Sequence, residues 1–293
     1  KLKSTYADGL LKVIGPDRRV RTNFQMTVTA TGRLSSTEPN LQNIPTRTRL
    51  GSEMRRMFVA EGGVVRVDAD YSQIELRLLA HMAQDQKMIE SFLSGEDIHA
   101  RTASQVFGVP VEEISYELRR RAKAVNFGIV YGISEFSLAE DIGVSRWEAK
   151  DYIDSYLANY PGVRTYMKQV VEDARQTGYT TTLYGRKRYI PELSGKNKMQ
   201  QKFGERVAMN SPIQGTAADI IKVAMINVSR RLKAEGVDAH LILQVHDELV
   251  IESHRTCAER AAIILREEME NAIKLPVPLS VELTTGETWY DNK

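Results

Sequence analysis

Apolar positions alternate, or gather in short β-branched runs, near both ends of the chain, and take helical spacing through its middle. Val64-Val65-Arg66-Val67 reads as a buried strand. From Ser72 onward Ile74, Leu76, Leu78, Leu79 and Met82 are spaced as on a helix, so a strand runs into a helix with Asp70 at the junction. Two apolar β runs, Leu241–Val245 and Leu249–Ile251, flank His246-Asp247-Glu248 and read as a tight hairpin. Helical spacing predicts helices over 73–93, 97–107, 116–131, 145–159, 161–177, 199–209, 215–235 and 256–273. Strands are predicted over 20–28, as a pair around Tyr184-Gly185, and over 239–245, 248–253 and 277–283, with Gly/Pro/Asn/Ser-rich loops at 29–36 and 39–45. Strands bracket helices, the α+β pattern of one sheet domain with a helical insertion.

That pattern puts chemistry at three places. A carboxylate at a strand end among apolar residues is costly unless a cation meets it, although Asp before a helical run is equally a helix cap. If the hairpin pairs beside the first strand, Asp70 and Asp247 converge, and two facing carboxylates repel unless divalent cations bind. Mg²⁺ suits such a site, since it takes one or two carboxylates plus phosphate oxygens. In the helix entered at Ser115, Leu118, Ala122, Val125 and Ile129 form the side spaced for burial. Arg119, Lys123, Phe127 and Tyr131 run along another side. Arg and Lys one turn apart can grip a polyphosphate, and Phe127 can lie against a base or sugar. Arg119 to Tyr131 spans about 18 Å, comparable to a nucleoside triphosphate. The plain alternative is an exposed cationic start followed by a packed end.

Composition narrows this only in part. The 293 residues suffice for roughly two domains, and 42% apolar with 27% charged residues excludes a mostly disordered chain. A net charge of +2 confines any phosphate-binding surface to local clusters: Arg18, Arg19, Arg21; Arg47, Arg49, Arg55, Arg56; Arg119, Arg120, Arg121, Lys123; Arg186, Lys187, Arg188; and Lys196, Lys198, Lys202, Arg206. Each alone reads as a solvated face; together, interleaved with aromatics, they favour a phosphate partner. The single cysteine, Cys257, excludes an intrachain disulfide framework and a Cys-based zinc site. No run approaches the ~18 apolar residues of a membrane span.

Asp70-Tyr71-Ser72-Gln73-Ile74-Glu75-Leu76-Arg77, the Arg119/Lys123/Phe127-Gly128/Tyr131-Gly132 pattern and Val245-His246-Asp247-Glu248 resemble motifs A, B and C of the family A DNA polymerases. Thr29–Ser36, Pro39–Pro45, Asp97-Ile98-His99 and Asn210-x3-Gln214-Gly215-Thr216-Ala217-Ala218-Asp219 add to the likeness, which covers essentially the whole chain. The resemblance implies a right-hand polymerase core: a palm of antiparallel sheet over 1–76 and 210–293, with inserted helical fingers over 77–209. It implies template-directed transfer of deoxynucleoside monophosphate from a dNTP to a primer 3′-hydroxyl, with two Mg²⁺ ions for which Mn²⁺ can substitute. Asp70, Asp247 and the Tyr71 backbone carbonyl would hold the ions, and Glu248, counted with Asp70, Asp247 and Lys123 among the catalytic residues, would lie near them without being an essential ligand. Arg119, Lys123 and His99 would hold the triphosphate, Lys123 also protonating the leaving pyrophosphate. Phe127 and Gln73 would meet the incoming nucleotide, and Tyr131 would occupy the template site when the helix is open. Glu75, paired with Tyr131, would exclude a 2′-hydroxyl. Arg33, Asn40, Gln42, Asn210, Gln214 and His246 would contact primer–template DNA, although turn chemistry explains Asn40 and Asn43 equally well. A monomer in the bacterial cytosol or nucleoid is expected.

The chain departs from the family in two respects. Its start resembles a thumb–palm junction, so thumb and exonuclease-like domains are expected to be absent, proofreading and 5′-nuclease activity with them, and DNA grip to be weak. Asp68 stands where a small or neutral residue is more usual; it reads as the partner of a nearby Arg, or else as added negative potential that tightens metal binding. Two rival functions stand beside the polymerase. A single-subunit RNA polymerase shares the carboxylates and the Arg/Lys helix, but Glu75 and Phe127 count against it. The other is a nucleotide- or DNA-binding fragment, inactive or nearly so because the thumb is missing.

Overall fold

The structure is a computed structural model that describes residues 3–45 and 48–291. Arg47 of the second basic cluster, and Lys1 and Leu2 of the expected thumb–palm junction, lie outside the described residues. In chain order the elements are α1 (Asp8–Leu11), β1 (Asn23–Gln25), β2 (Ser35–Thr37), α2 (Arg49–Glu53), β3 (Val64–Tyr71), α3 (Ile74–Ala83), α4 (Gln86–Leu93), α5 (Ile98–Phe107), α6 (Tyr116–Val130) and α7 (Glu135–Ile142). Then follow α8 (Arg146–Asn159), α9 (Pro161–Thr177), β4 (Tyr179–Thr181), β5 (Lys187–Tyr189), α10 (Lys198–Ala234), β6 (Ala239–Val245), β7 (Glu248–His254), α11 (Ala258–Glu270) and β8 (Val281–Gly286). Contacts divide the chain into two units: Lys1–Ser72 with Ala218–Ile273 and Leu279–Lys293, and Gln73–Ala217 with Lys274–Pro278. The sequence reading placed the divisions at 76/77 and 209/210.

The first unit is built on a four-stranded antiparallel sheet of order β6-β7-β3-β8. Alternation along β3 explains its two faces. Val67, Ala69 and Tyr71 are buried, and α11 packs against the strand, with the Tyr71 hydroxyl donating to the Met269 carbonyl at 2.7 Å. Arg66, Asp68 and Asp70 alternate onto the other face. A second apolar cluster, of Leu10, Leu41, Ile44, Leu243, Val245, Val250 and Trp289, completes the core of this unit.

The second unit is mainly helical, and several of its helices open on a side-chain cap. Asp85, Asp97 and Ser115 accept backbone N–H groups of Met88, of His99 and Ala100, and of Leu118. Ser145 and Glu148 form a capping box. The segment after α6 turns at Gly132, at φ +64°, where a Cβ would meet Met209 at 2.8 Å.

Several elements differ from the sequence reading. The helix expected over 73–93 breaks at Gln84, which is left-handed at φ 47°, and Asp85 caps a new helix. α7 was not expected, because only Leu138 and Ile142 in it are buried and so short a stripe carries little periodicity. α10 runs unbroken where two helices, 199–209 and 215–235, are expected; Pro212 lies inside it, Ser211, Pro212 and Ile213 are buried, and packing overrides the propensity. The strand expected over 20–28 keeps only Asn23–Gln25.

Candidate active site

In the first unit the sheet register brings the acidic residues to one end. Asp70, next to last in β3, stands opposite Glu248 of β7 and Glu282 of β8. The Tyr71 N–H donates to the Asp247 carbonyl at 3.2 Å, pinning the β6–β7 turn to the end of β3. His246, exposed at the tip of that turn, holds a left-handed φ of 52°, a strained conformation for a non-glycine residue. An Arg33 guanidinium nitrogen lies 3.6 Å from Asp247 Oδ1. Protein atoms crowd the Asp247 carboxyl and push its pKa up, Arg33 opposing them, although 30% of the side chain still meets solvent. A divalent cation would relieve that desolvation. Among the described residues no group of three or more His, Cys, Asp or Glu side chains forms a metal cage. An ion here would therefore take hard oxygens from Asp70, Asp247 and a backbone carbonyl and fill its shell with phosphate and water, a donor set that suits Mg²⁺.

Beneath these carboxylates lies a buried ionic layer. Asp68 is 3% exposed and sits in the field of Arg55 and Arg66. Burial pulls the Arg55 guanidinium below its ordinary pKa, and Glu248, Asp68 and Asp70 oppose that. Arg55 stacks 4.2 Å over the Trp289 ring, and the Trp289 indole N–H donates to Glu248 Oε1 at 2.9 Å. Glu248 is therefore a buried, anchored carboxylate.

The expected DNA-contacting residues of this unit are partly engaged within it. Gln42 donates to the backbone carbonyl of Gln244 at 3.1 Å and to its side-chain oxygen at 3.0 Å, and Asn40 Oδ1 accepts the Gln42 N–H at 3.0 Å, which is turn chemistry. Lys222 of α10 donates to the Gly32 carbonyl at 2.5 Å, anchoring the loop that carries Arg33.

In the second unit the polar stripe of α6 is the less buried one. Ala122, Val125 and Ile129 are buried, while Arg119 and Phe127 are partly exposed and Lys123 exposed. Arg119 Nε donates to Asp97 Oδ2 at 2.6 Å. The Lys123 ammonium lies 5.9 Å from the Phe127 ring centroid, and the Phe127 and Tyr131 rings are stacked at 6.5 Å. The Tyr131 hydroxyl donates to Glu75 Oε2 at 2.7 Å, the pairing expected of these two residues. Glu75 is buried in the first turn of α3, whose preceding residue Gln73 is left-handed at φ 57°. His99, next to Phe127 and 2% exposed, is pushed down to about 4 mainly by burial, with the Arg119 and Lys123 charges adding and Asp97 opposing. Asn210 and Gln214 are partly buried along α10, and Asn210 Nδ2 is buried with no hydrogen-bond partner among the described residues.

Sequence reasoning singled out neither Trp289 nor Gln244, Lys222, Asn126 and Thr102. The one available signal was a lone Trp after the last strand; the others sit in ordinary periodic positions.

A sequence model described as DNA polymerase family A matches residues 1–291. The chain is 52% identical to a DNA polymerase I of Bacillus caldotenax, with 100% of this chain and 34% of the relative aligned. It is 49% identical to a DNA polymerase I of Deinococcus radiodurans, covering 30% of that protein. The chain thus spans about a third of the length of the curated relatives it matches. Among solved structures it is similar to the POL domain of Pol1 from M. smegmatis in complex with DNA primer-template and dNTP. That match has a TM-score of 0.95 and 48% identity, and covers 99% of this chain and 51% of that one. With a whole-length family match and relatives near half identity, the chain belongs to DNA polymerase family A.

Proposed function

We propose that this chain carries the nucleotidyl-transfer centre of a DNA-directed DNA polymerase, adding deoxynucleoside monophosphates from dNTPs to a primer 3′-hydroxyl under template direction. The sheet unit acts as palm and the helical unit as fingers. The observation that carries the reading is the meeting of the β3 end with the β6–β7 turn, where Asp70 of the strand and Asp247 of the turn, far apart in sequence, share one sheet end.

In this mechanism Asp70, Asp247 and the Tyr71 carbonyl would hold two Mg²⁺ ions, for which Mn²⁺ could substitute. When bound, the ions lower the pKa of the attacking hydroxyl and neutralise charge on the departing pyrophosphate. Glu248 is held by Trp289 and supports the turn rather than reacting. Arg119 exchanges Asp97 for the triphosphate and grips it as a fork. Lys123 adds a point charge and delivers a proton to the pyrophosphate oxygen. Phe127 and Gln73 bear on the incoming nucleotide, and His99 donates to a phosphate oxygen. Glu75, bonded to Tyr131, fills the space a 2′-hydroxyl needs. Arg33, Asn40, Gln42, Asn210, Gln214 and His246 line the path of primer and template.

Primer extension with Mg²⁺, run beside Asp70→Ala, tests the proposal. The unmodified chain is expected to extend with dNTPs far better than with NTPs, and the variant to lose about 10³-fold or more, the several kcal/mol carried by the metal site. No extension at high primer–template and low salt would leave a binding module, and equal use of NTPs would point to an RNA polymerase.

A further inference from the structure

α5 and α6 are joined by a buried polar relay behind His99, two members of which, Asn126 and Thr102, the chemistry above leaves unused. His99 Nδ1 lies 3.0 Å from Asn126 Nδ2, and the Thr102 hydroxyl donates to Asn126 Oδ1 at 3.2 Å. Asn126 and Thr102 are fully buried, so each of these groups must find its partner inside the protein. Asn126 precedes Phe127 on the stripe-bearing helix, and Thr102 lies one turn beyond His99.

The relay has a direction. An amide carries an acceptor at one end and donors at the other. With its oxygen taken by the Thr102 hydroxyl, Asn126 presents its NH₂ to the imidazole, and Nδ1 must accept. A neutral imidazole carries a single N–H, and an accepting Nδ1 leaves it on Nε2. Burial keeps the ring neutral down to about pH 4; the charged groups acting on it are Asp97 of the α5 cap and Arg119 and Lys123 of α6. We propose that Asn126 and Thr102 are positioning residues that lock His99 in its Nε2–H tautomer, making it a neutral donor to a nucleotide phosphate beside the two cations. The reason for a neutral donor is chemical. Arg119 and Lys123 already supply charge, and a third fixed cation would hold pyrophosphate too tightly to release. The phosphate part of this inference rests on the polymerase reading; the tautomer does not.

Long-range ¹H–¹⁵N correlation of ¹⁵N-histidine-labelled protein near neutral pH reads the tautomer directly in the unliganded chain. Nδ1 is expected to be bare and Nε2 protonated; a protonated Nδ1 overturns the proposal. Asn126→Asp, nearly the same shape, replaces the amide by a carboxylate that draws a proton onto Nδ1, and the His99 resonances are expected to shift accordingly. Binding of dATP to the protein with a dideoxy-terminated primer–template is expected to weaken about tenfold, the worth of one hydrogen bond to a charged group. His99→Gln carries a donor whose position owes nothing to tautomerism; it should itself weaken binding several-fold, and adding Asn126→Asp to it should cost nothing further. If Asn126→Asp costs as much in the His99→Gln background as alone, the relay is merely packing and the proposal falls. If the unmodified chain binds no dATP at all, the polymerase reading fails, while the resonance pattern still decides the tautomer.

Discussion

The two units treat charge in opposite ways. In the sheet unit a set of charges is buried or half-buried and interlocked along β3 and β7: Arg19, 35% exposed, with buried Glu252 at 2.6 Å, Arg66 and Asp68 along β3, and Arg55 among Glu248, Asp68 and Asp70. In the helical unit several arginines lie at or near the surface on an acidic neighbour: Arg119 on Asp97, Arg120 and Arg121 on Glu117, Arg146 on Glu135. A buried charge cannot leave its partner without a penalty of several kcal/mol, whereas an exposed pair is worth little and exchanges readily. One unit is thus suited to holding groups still, and the other to handing a cation from protein to phosphate.

The contrast breaks most readily at Arg55. Arg55→Met leaves Asp68 and Glu248 buried with less compensation, and is expected to destabilise the sheet unit by about 3 kcal/mol in denaturant unfolding followed by circular dichroism. A loss under about 1 kcal/mol would mean the ionic layer is not what stiffens this end.

Acid tests the helical unit next. His99 has its pKa lowered from 6.5 to about 4, so between those values the unfolded chain takes up a proton that the folded chain refuses. The stabilisation is full above 6.5 and is lost as pH falls toward about 4. Unfolding free energies from denaturant titrations at about pH 7 and about pH 4.5 are expected to differ by about 2 to 3 kcal/mol through His99, and His99→Gln to remove that contribution.

A smaller effect is expected at the Arg119 pair. Asp97→Asn keeps the cap acceptor of α5 but removes the charge that detains Arg119, so the dNTP KM in primer extension should fall about two- to threefold with the melting temperature unchanged. A rise in KM would show that Asp97 aims Arg119 rather than detaining it. Least of all, Glu117→Gln, at a fully exposed cluster, should leave the unfolding midpoint where it was, marking the limit of what these surface pairs contribute.

What could be read in advance follows the range of the interactions. β3, the β6–β7 hairpin, and the starts of α5, α6 and α8 announce themselves through local period, turn residues and caps. Gln84 and Pro212 mislead because propensity is a weak prior beside packing. Asp70 with Asp247, and Arg119 with Lys123, are legible from residue chemistry as candidates for a divalent cation and a polyphosphate, and the resemblance adds the finer expected roles. Trp289 with Glu248, Arg19 with Glu252, and Thr102 with Asn126 join residues of separate elements, so no local pattern encodes them.

The burial of Trp289 has a use beyond anchoring Glu248. The chain has two tryptophans: Trp289, 1% exposed in the sheet unit, and Trp147, 75% exposed in the helical one. The first should emit toward the blue and resist iodide, the second emit toward the red and be quenched by it. A single cuvette of unlabelled protein therefore gives each unit its own colour.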